Sequence, residues 1–392
     1  MVNASLKTLA VFDRKRLLAV AENAARFTPR NRKDGCHEVL QTARFSVAGC
    51  HADIITTTLD NSAFQVCPLC ANDTEPATFC LHVAALVSAL KGSKSETIAV
   101  ASNGGGIVGP LLIVDDICSI PLPGPLDPAE FPTFTHAGNF GGVRIQSSEL
   151  IDAIRSTAFA CDPSPNRYAM EGVQLEVADG MLHFVATDGH RLPVYSHKLA
   201  DPGSGPDKVS TLVPGAALEK MASNLASLPD EPVWIQFGEH DASFVAGTCE
   251  YRIRTLEGRF PRWRDAMPSI TQFTRIDALA LRDALKRLLP LWREDSPGID
   301  LEFWDGHVTV RSGAEPDSTI NVPITTDASA FGTIIFDARF VLDALAVVRD
   351  KRPRNDHGNC PLIEFAWKNA DCAALFSYGN VRHVLMPLAR HR

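Results

Sequence analysis

The sequence predicts an α+β protein built as three similar domains, each with two helices packed on antiparallel sheet. Three observations predict it. The chain has 392 residues, more than one hydrophobic core supports, and about 150 residues per domain gives two to three domains. A pattern of helix, strand-like run, helix and strand-like run returns after about 130 residues, and a period that long marks domains, not solenoid units. The ends of the repeats also match. Glu130-Phe131-Pro132 and Arg259-Phe260-Pro261 hold equivalent places, and Met386-Pro387 closes the third. The expected domains are 1–138, 139–270 and 271–392, with Thr133 to Gly142 and Pro268 to Phe273 of linker character.

The elements follow in order. An amphipathic helix is expected near Asp13 to Phe27, with Leu17, Leu18, Val20, Ala21 and Ala24 on one side. Its counterpart in the second repeat starts at Ser147, where Ser147 or Ser148 caps, Glu149 suits the first turn, and Leu150, Ile151 and Ile154 are apolar. In the third repeat it runs from Ala278 to Leu289 on Leu279, Leu281, Leu285 and Leu288, and Pro290 should end it, having no amide hydrogen. The second helix of each repeat is expected at Leu81 to Leu90, Gly215 to Leu225 and Asp337 to Val348. Gly104-Gly105-Gly106 reads as a hairpin turn. Asp188-Gly189, between two apolar runs, reads as a two-residue hairpin turn, which needs φ above zero at both positions.

Composition bounds the function. With 45% hydrophobic and 21% charged residues the chain is an ordinary globular protein. A net charge of -8 and a pI near 5.8 argue against a surface that coats nucleic acid everywhere, while leaving room for a local basic face. Leu6 to Ala10 is a short apolar run followed at once by Asp13-Arg14-Lys15-Arg16, so neither an export signal nor a membrane span is expected and the protein should be cytoplasmic. Ten irregularly spaced cysteines then read as reduced thiols.

Residues 185–192, Val-Ala-Thr-Asp-Gly-His-Arg-Leu, contain the ATDGHRL signature of a known family. Arg167-Tyr168-Ala169-Met170-Glu171-Gly172 is similar to its RYYLNG segment, Gly258-Arg259-Phe260-Pro261 to its GRFP segment, and Val384 to Leu388 to its closing VVMPM. The chain thus resembles the β sliding clamp, the processivity factor of bacterial DNA polymerase III, from about residue 143 to the end. The first domain fits by length and pattern, and its divergence suits a paralogue of the housekeeping clamp.

The resemblance implies a DNA clamp fold: three clamp domains per chain and two chains head to tail in a ring around duplex DNA. It implies tethering of the replicative polymerase, with the clamp loader and repair proteins captured through short hydrophobic peptides. The implied peptide cleft comprises Met170, Thr187, Gly189, His190, Arg191, Leu192, Pro261, Ala266, Val384, Met386, Pro387 and Leu388, with His190 and Arg191 as polar contacts at its rim. Arg167 and Tyr168 match the DNA-touching segment, Arg30, Arg32 and Lys33 are an analogue in the first domain, and Leu291 and Trp292 fall at the homodimer interface. Ala169 replaces the family's second tyrosine, and Ala266 a larger aliphatic residue. Basic helix positions, among them Lys15, Arg16, Arg155, Lys220, Lys286 and Arg287, suit a weak, sequence-independent, salt-sensitive attraction to phosphates.

Other chemistry is less well supported. Asp188 and His190 need not converge on a substrate, and neither a phosphate-binding loop nor a dinucleotide motif is present, so no catalysis and no cofactor are expected. Cys67, Cys70, Cys80 and His82 form a weak zinc candidate: CxxC is a usual first half, but CxH falls where a helix should start, where residues two apart diverge. A clamp-fold module that binds clamp-motif peptides without encircling DNA is the alternative function.

Overall fold

The structure, a computed structural model, describes residues 6–29, 37–71, 74–103, 111–124, 126–133, 142–162, 164, 169–200, 205–291, 293, 298–304, 306–313, 317–323, 332–348 and 361–389. The triple glycine lies outside them. One element order, strand, helix, four strands, helix, three strands, occurs three times. The first pass comprises β1 (Leu6–Asp13), α1 (Arg14–Ala25), β2 (Thr42–Gly49), β3 (His51–Thr57), β4 (Asn61–Pro68), β5 (Thr74–His82), α2 (Val83–Gly92), β6 (Thr97–Asn103), β7 (Leu111–Val114) and β8 (Ser119–Pro121). The second comprises β9 (Val143–Gln146), α3 (Ser147–Thr157), β10 (Gly172–Ala178), β11 (Met181–Val185), β12 (Arg191–Lys198), β13 (Val209–Pro214), α4 (Gly215–Leu225), β14 (Pro232–Phe237), β15 (Asp241–Ala246) and β16 (Cys249–Arg254). The third comprises β17 (Gln272–Asp277), α5 (Ala278–Leu288), β18 (Gly298–Trp304), β19 (His307–Ser312), β20 (Thr319–Pro323), β21 (Gly332–Asp337), α6 (Ala338–Leu345), β22 (Leu362–Trp367), β23 (Ala374–Tyr378) and β24 (Val381–Leu385).

The helices start where a side chain can satisfy orphan amides. Asp13 caps α1 by accepting from Arg16 N, Asp277 caps α5 by accepting from Leu279 N and Ala280 N, and Asp337 caps α6 by accepting from Arg339 N. His82 caps α2: its Nδ1 accepts from Ala85 N. The α5 helix stops at Leu288 and tightens into a 3₁₀ turn over Leu289–Leu291, as Pro290 demands.

The strands form two eight-stranded and two four-stranded antiparallel sheets. One long sheet runs β5-β2-β3-β4-β16-β15-β14-β9 and the other β13-β10-β11-β12-β24-β23-β22-β17. Each takes four strands from one repeat and four from the next. Compact units therefore follow the sheets and cut across the repeats: one comprises Met1–Ser147 with Lys220–Thr255, the other Ser148–Glu219 with Leu256–Arg392.

In the first unit Phe12, Phe45 and Phe79 anchor a core beneath α1 and α2, the last two rings stacked 5.4 Å apart. In the second, Phe303, Phe336, Phe365, Phe376 and Trp367 pack with Leu281 and Leu285 of α5 and Val341 of α6. Among the described residues no helix is long and apolar enough to cross a membrane, and the cysteines are free.

Candidate functional site

The Val185–Leu192 stretch lies between β11 and β12, but its turn is not the one expected. The two-residue hairpin turn sits one connection earlier, at Asp179-Gly180, where Ala178 faces Met181 and φ is 54° and 72°. Asp188-Gly189 belongs to a wider loop. Val185 pairs with Val194, and of the loop residues only Gly189 has positive φ, 86°. Side chains hold the loop open. Thr187 Oγ1 accepts from Gly189 N at 3.0 Å and donates to Arg191 O at 2.8 Å, while Asp188 Oδ1 accepts from His190 N and Arg191 N at 3.0 Å each.

The C-terminal segment completes the site. In the β12–β24 ladder Arg191 faces Leu385 and Leu192 faces Val384, and beyond it Met386 N donates to His190 O at 2.9 Å. Leu388 N then donates to Ile335 O on β21 at 2.8 Å. Residues nearly two hundred positions apart thus form one edge, with Met386 47% exposed and Pro387 and Leu388 half-buried beside it. Strand alternation sorts the side chains. Leu192 and Val384 pack with Val185, Val194 and Trp263 in a cluster that Phe260 and Met267 border.

Trp263 is fixed by chemistry the sequence did not reveal. Its Nε1 donates to Glu176 at 2.9 Å, Arg264 donates to the same carboxylate, and the Arg264 guanidinium lies 4.1 Å from the Trp263 ring centre. Burial pushes the Glu176 carboxyl upward, but the hydrogen bonds from Arg264 and Trp263 outweigh it and hold the group below its ordinary value. Pro261 and Ala266 flank this turn, Pro261 half-buried and Ala266 exposed. Met170 is half-buried, and its carbonyl accepts from Asp162 N.

The Arg191 guanidinium turns to the opposite face from Leu192. It donates through Nε to Asp188 Oδ2 at 2.8 Å, through Nη1 to Asp343 of α6, and through Nη2 to Phe159 O at 3.3 Å. It also lies 4.6 Å from the Phe340 ring centre and 5.1 Å from that of Phe159. His190 stays exposed, with its ring stacked on Phe340 at 6.3 Å. Asp188 is committed to Arg191 and two loop amides, an arrangement that builds a loop and not an acid/base pair. Next along the β24 ladder, His383 is 1% exposed against Phe159, its ring nitrogens have no hydrogen-bond partner among the described residues, and burial, helped by nearby Arg191, pushes its pKa down to about 3.

Other expected site residues fare differently. Arg30, Arg32, Lys33, Arg167, Tyr168 and Trp292 lie outside the described residues. Leu291 packs against the core of its own repeat. Of the basic helix positions, Lys15, Arg16, Arg155, Lys220, Lys286 and Arg287 are exposed. Others are occupied: Arg14 donates to Ser95 O, Arg26 to Asn23 and Asn224, Arg282 to Val348 O, and Arg339 to Asp337.

The zinc candidate is not assembled. Cys67 on β4 and Cys80 on β5 belong to different clusters, and β2 and β3 lie between their strands, three strand spacings or roughly 14 Å. His82 is used as the cap of α2 and contacts Gln41 through Nε2. Burial pushes the Cys67 thiol up to about 12 and the Cys80 thiol up to about 11, away from the thiolate a metal needs.

Known proteins share this fold, and a family profile spans this stretch. The profile of the DNA polymerase III beta subunit central domain matches residues 144–262. The chain is 27% identical over 242 residues to the beta sliding clamp of Pseudomonas putida, covering 60% of this chain and 65% of that one, just under two thirds of the relative's length. It is 27% identical over 264 residues to the clamp of Pseudomonas aeruginosa, covering 66% and 68%. Among solved structures, a P. aeruginosa sliding clamp bound to griselimycin superposes with a TM-score of 0.84 at 22% identity, over 98% of this chain and 100% of that one. A Bacillus subtilis sliding clamp gives 0.83 at 18% identity, over 98% and 100%. Residues 144–262 thus match the DNA polymerase III beta subunit central domain, and the chain has the fold of the bacterial β sliding clamps on which it superposes.

Proposed function

We propose that two copies of this chain close head to tail into a ring that encircles duplex DNA and tethers a polymerase for processive synthesis, without catalysis of its own. The three repeats are read as its domains, 1–138, 139–270 and 271–392. One observation carries the reading. Within the chain two equivalent junctions join successive repeats, β4 to β16 and β12 to β24. By element order the next such pair is β20 with the counterpart of β16 and β24, which is β8. These two strands are left as edges of separate four-stranded sheets, β20-β19-β18-β21 and β1-β6-β7-β8. An open edge is a template for another strand, and a head-to-tail contact that offers β20 of one copy to β8 of the next repeats the internal junction a third time. The exposed lysines and arginines of the helices supply phosphate attraction without base readout.

The edge formed by His190, Leu192, Val384, Met386 and Leu388 is read as the cleft for short hydrophobic peptides of polymerases, the clamp loader and repair proteins. Flexible Met386 adapts to different apolar anchors. Light-scattering mass measured together with retention on circular and linearised DNA tests the whole reading. The expected result is twice the chain mass of 42.5 kDa, with protein held on circles and lost from linear ends. A monomer that treats both DNAs alike would refute it.

A further inference from the structure

The β4–β16 junction holds a cavity of about 380 Å³ lined by Thr57, Leu59, Asp60, Pro132, His240, Arg252 and Arg254, among others. Its loop shares the threonine bonds and the junction bond of the β11–β12 loop. Thr57 Oγ1 accepts from Leu59 N at 2.9 Å and donates to Asn61 O at 3.3 Å, as Thr187 does with Gly189 and Arg191. Arg254 N donates to Asp60 O at 2.9 Å, as Met386 N does to His190 O. Ladder register agrees, with Ile253 facing Asn61 as Leu385 faces Arg191, and Arg252 facing Ser62 as Val384 faces Leu192. The backbone is therefore the same while the lining has changed. Where the candidate peptide edge has Val384 and Leu192 buried and Met386 exposed, the equivalent positions here are Arg252, Ser62 and Arg254.

We propose that this cavity is a second peptide site, one that takes an extended segment alternating acidic and aliphatic side chains. The choice of a peptide as occupant rests on the reading of the equivalent edge as a peptide cleft; the acidic chemistry rests on this cavity alone. Arg252 and Arg254 lie two apart on β16 and so share a face, and guanidinium forks bind carboxylate or phosphate oxygens in pairs. Asp241 holds Arg252 at 2.6 Å and Asp60 holds Arg254 at 3.3 Å, the second pair largely exposed and so weakly held against an incoming carboxylate. Leu59 adds an independent sign. It is 66% exposed at φ 77°, a left-handed conformation that glycine adopts at the equivalent position and that costs a leucine strain. An exposed apolar side chain in the cavity lining, which also includes Pro132, is placed to meet an aliphatic group of a ligand. Asp60 and Asp241 disfavour a continuous polyanion, which argues for peptide over nucleic acid.

The test uses the full-length protein and a fluorescein-labelled peptide Glu-Leu-Glu-Leu-Gly, acetylated and amidated, read by polarisation at low salt. Binding should weaken at least tenfold when both Glu are replaced by Gln, and at least tenfold in Arg252→Ala with Arg254→Ala. It should persist in Met386→Ala with Leu388→Ala. Leu59→Gly should weaken binding while keeping or raising the urea midpoint, which separates a lost contact from a damaged fold. Equal binding of the Gln peptide, indifference to the arginine changes, loss in the Met386 variant, or displacement by an equal concentration of oligothymidylate would each overturn the proposal. Ring mass and retention on circular DNA, measured on the same arginine variant, report separately on the clamp reading.

Discussion

Replacing Arg191 with alanine tests whether this residue is a strut or a ligand contact. The guanidinium is 13% exposed and joins Asp188 on its own loop to Asp343, which lies 152 residues beyond Arg191. A hydrogen bond to a charged group contributes about 1.5–3 kcal/mol and a cation–π contact about 0.5–2 kcal/mol. Those figures need discounting. Asp343 is 43% exposed and regains water when the arginine leaves, and Asp188 keeps two loop amides. A net loss of about 3 kcal/mol follows, because Asp188 at 18% exposure is left short of a partner and the space between Phe159 and Phe340 is emptied. For a body of 150–250 residues that is roughly 6–12 °C in Tm. Arg191→Lys should recover only a minor part, since a point charge cannot serve both carboxylates and a carbonyl. Urea unfolding by circular dichroism gives the free energy. A loss below about 1 kcal/mol in Arg191→Ala would mean that the guanidinium is hydrated and available at the cleft rim, and the strut assignment would fail.

Three further outcomes are expected. His383 binds a proton in the unfolded chain below its ordinary 6.5 but in the folded chain only near 3, so its stability contribution is full above 6.5 and is lost as pH falls from there toward 3; between pH 7 and 5 the loss is about 2 kcal/mol. His383→Phe should flatten the urea midpoint over that range, and an unchanged slope would show that the imidazole protonates in place. Met386→Ala with Leu388→Ala should abolish micromolar binding of a Gln-Leu-x-Leu-Phe peptide, on the order of -8 kcal/mol, with the fold intact, as read by calorimetry. Exchanging Lys286 and Arg287 for glutamine should weaken duplex binding equally for all sequences and lessen its salt dependence, and a variant that loses affinity for one duplex only would contradict phosphate contact.

Local features were legible in the sequence. The helices fall where apolar spacing places them, and Pro290 ends α5 in the expected place, whereas the caps at Asp13, Asp277 and Asp337 came from the structure. Pairing across the repeats was not, since strand partners are chosen by faces and edges far apart in the chain; β12 meets β24 and β4 meets β16 without any sequence signal that says so. The same non-locality misled the turn assignment. Asp179-Gly180 and Asp188-Gly189 lie close together in the chain, and the register of β10 with β11 gives the tight turn to the first, while the second is spread into a loop by Thr187 and Asp188. The anchors of Arg191, Phe159, Phe340 and Asp343, sit on elements whose approach only the fold defines.

The equivalence of the β3–β4 and β11–β12 loops shows the limit most clearly. Of the hydrogen-bonding pattern the two share, the sequence keeps one threonine, Thr57 against Thr187; the next position accepts from the same amide as Thr58 in one loop and Asp188 in the other, and the junction bond uses backbone groups that any residue supplies. A loop held by backbone bonds and short oxygen-bearing side chains can keep its shape while the other side chains along it change from apolar to charged. Divergence of the first domain in sequence is for that reason no measure of divergence in backbone, and the place to look for its own ligand is the position where the shared loop carries different chemistry.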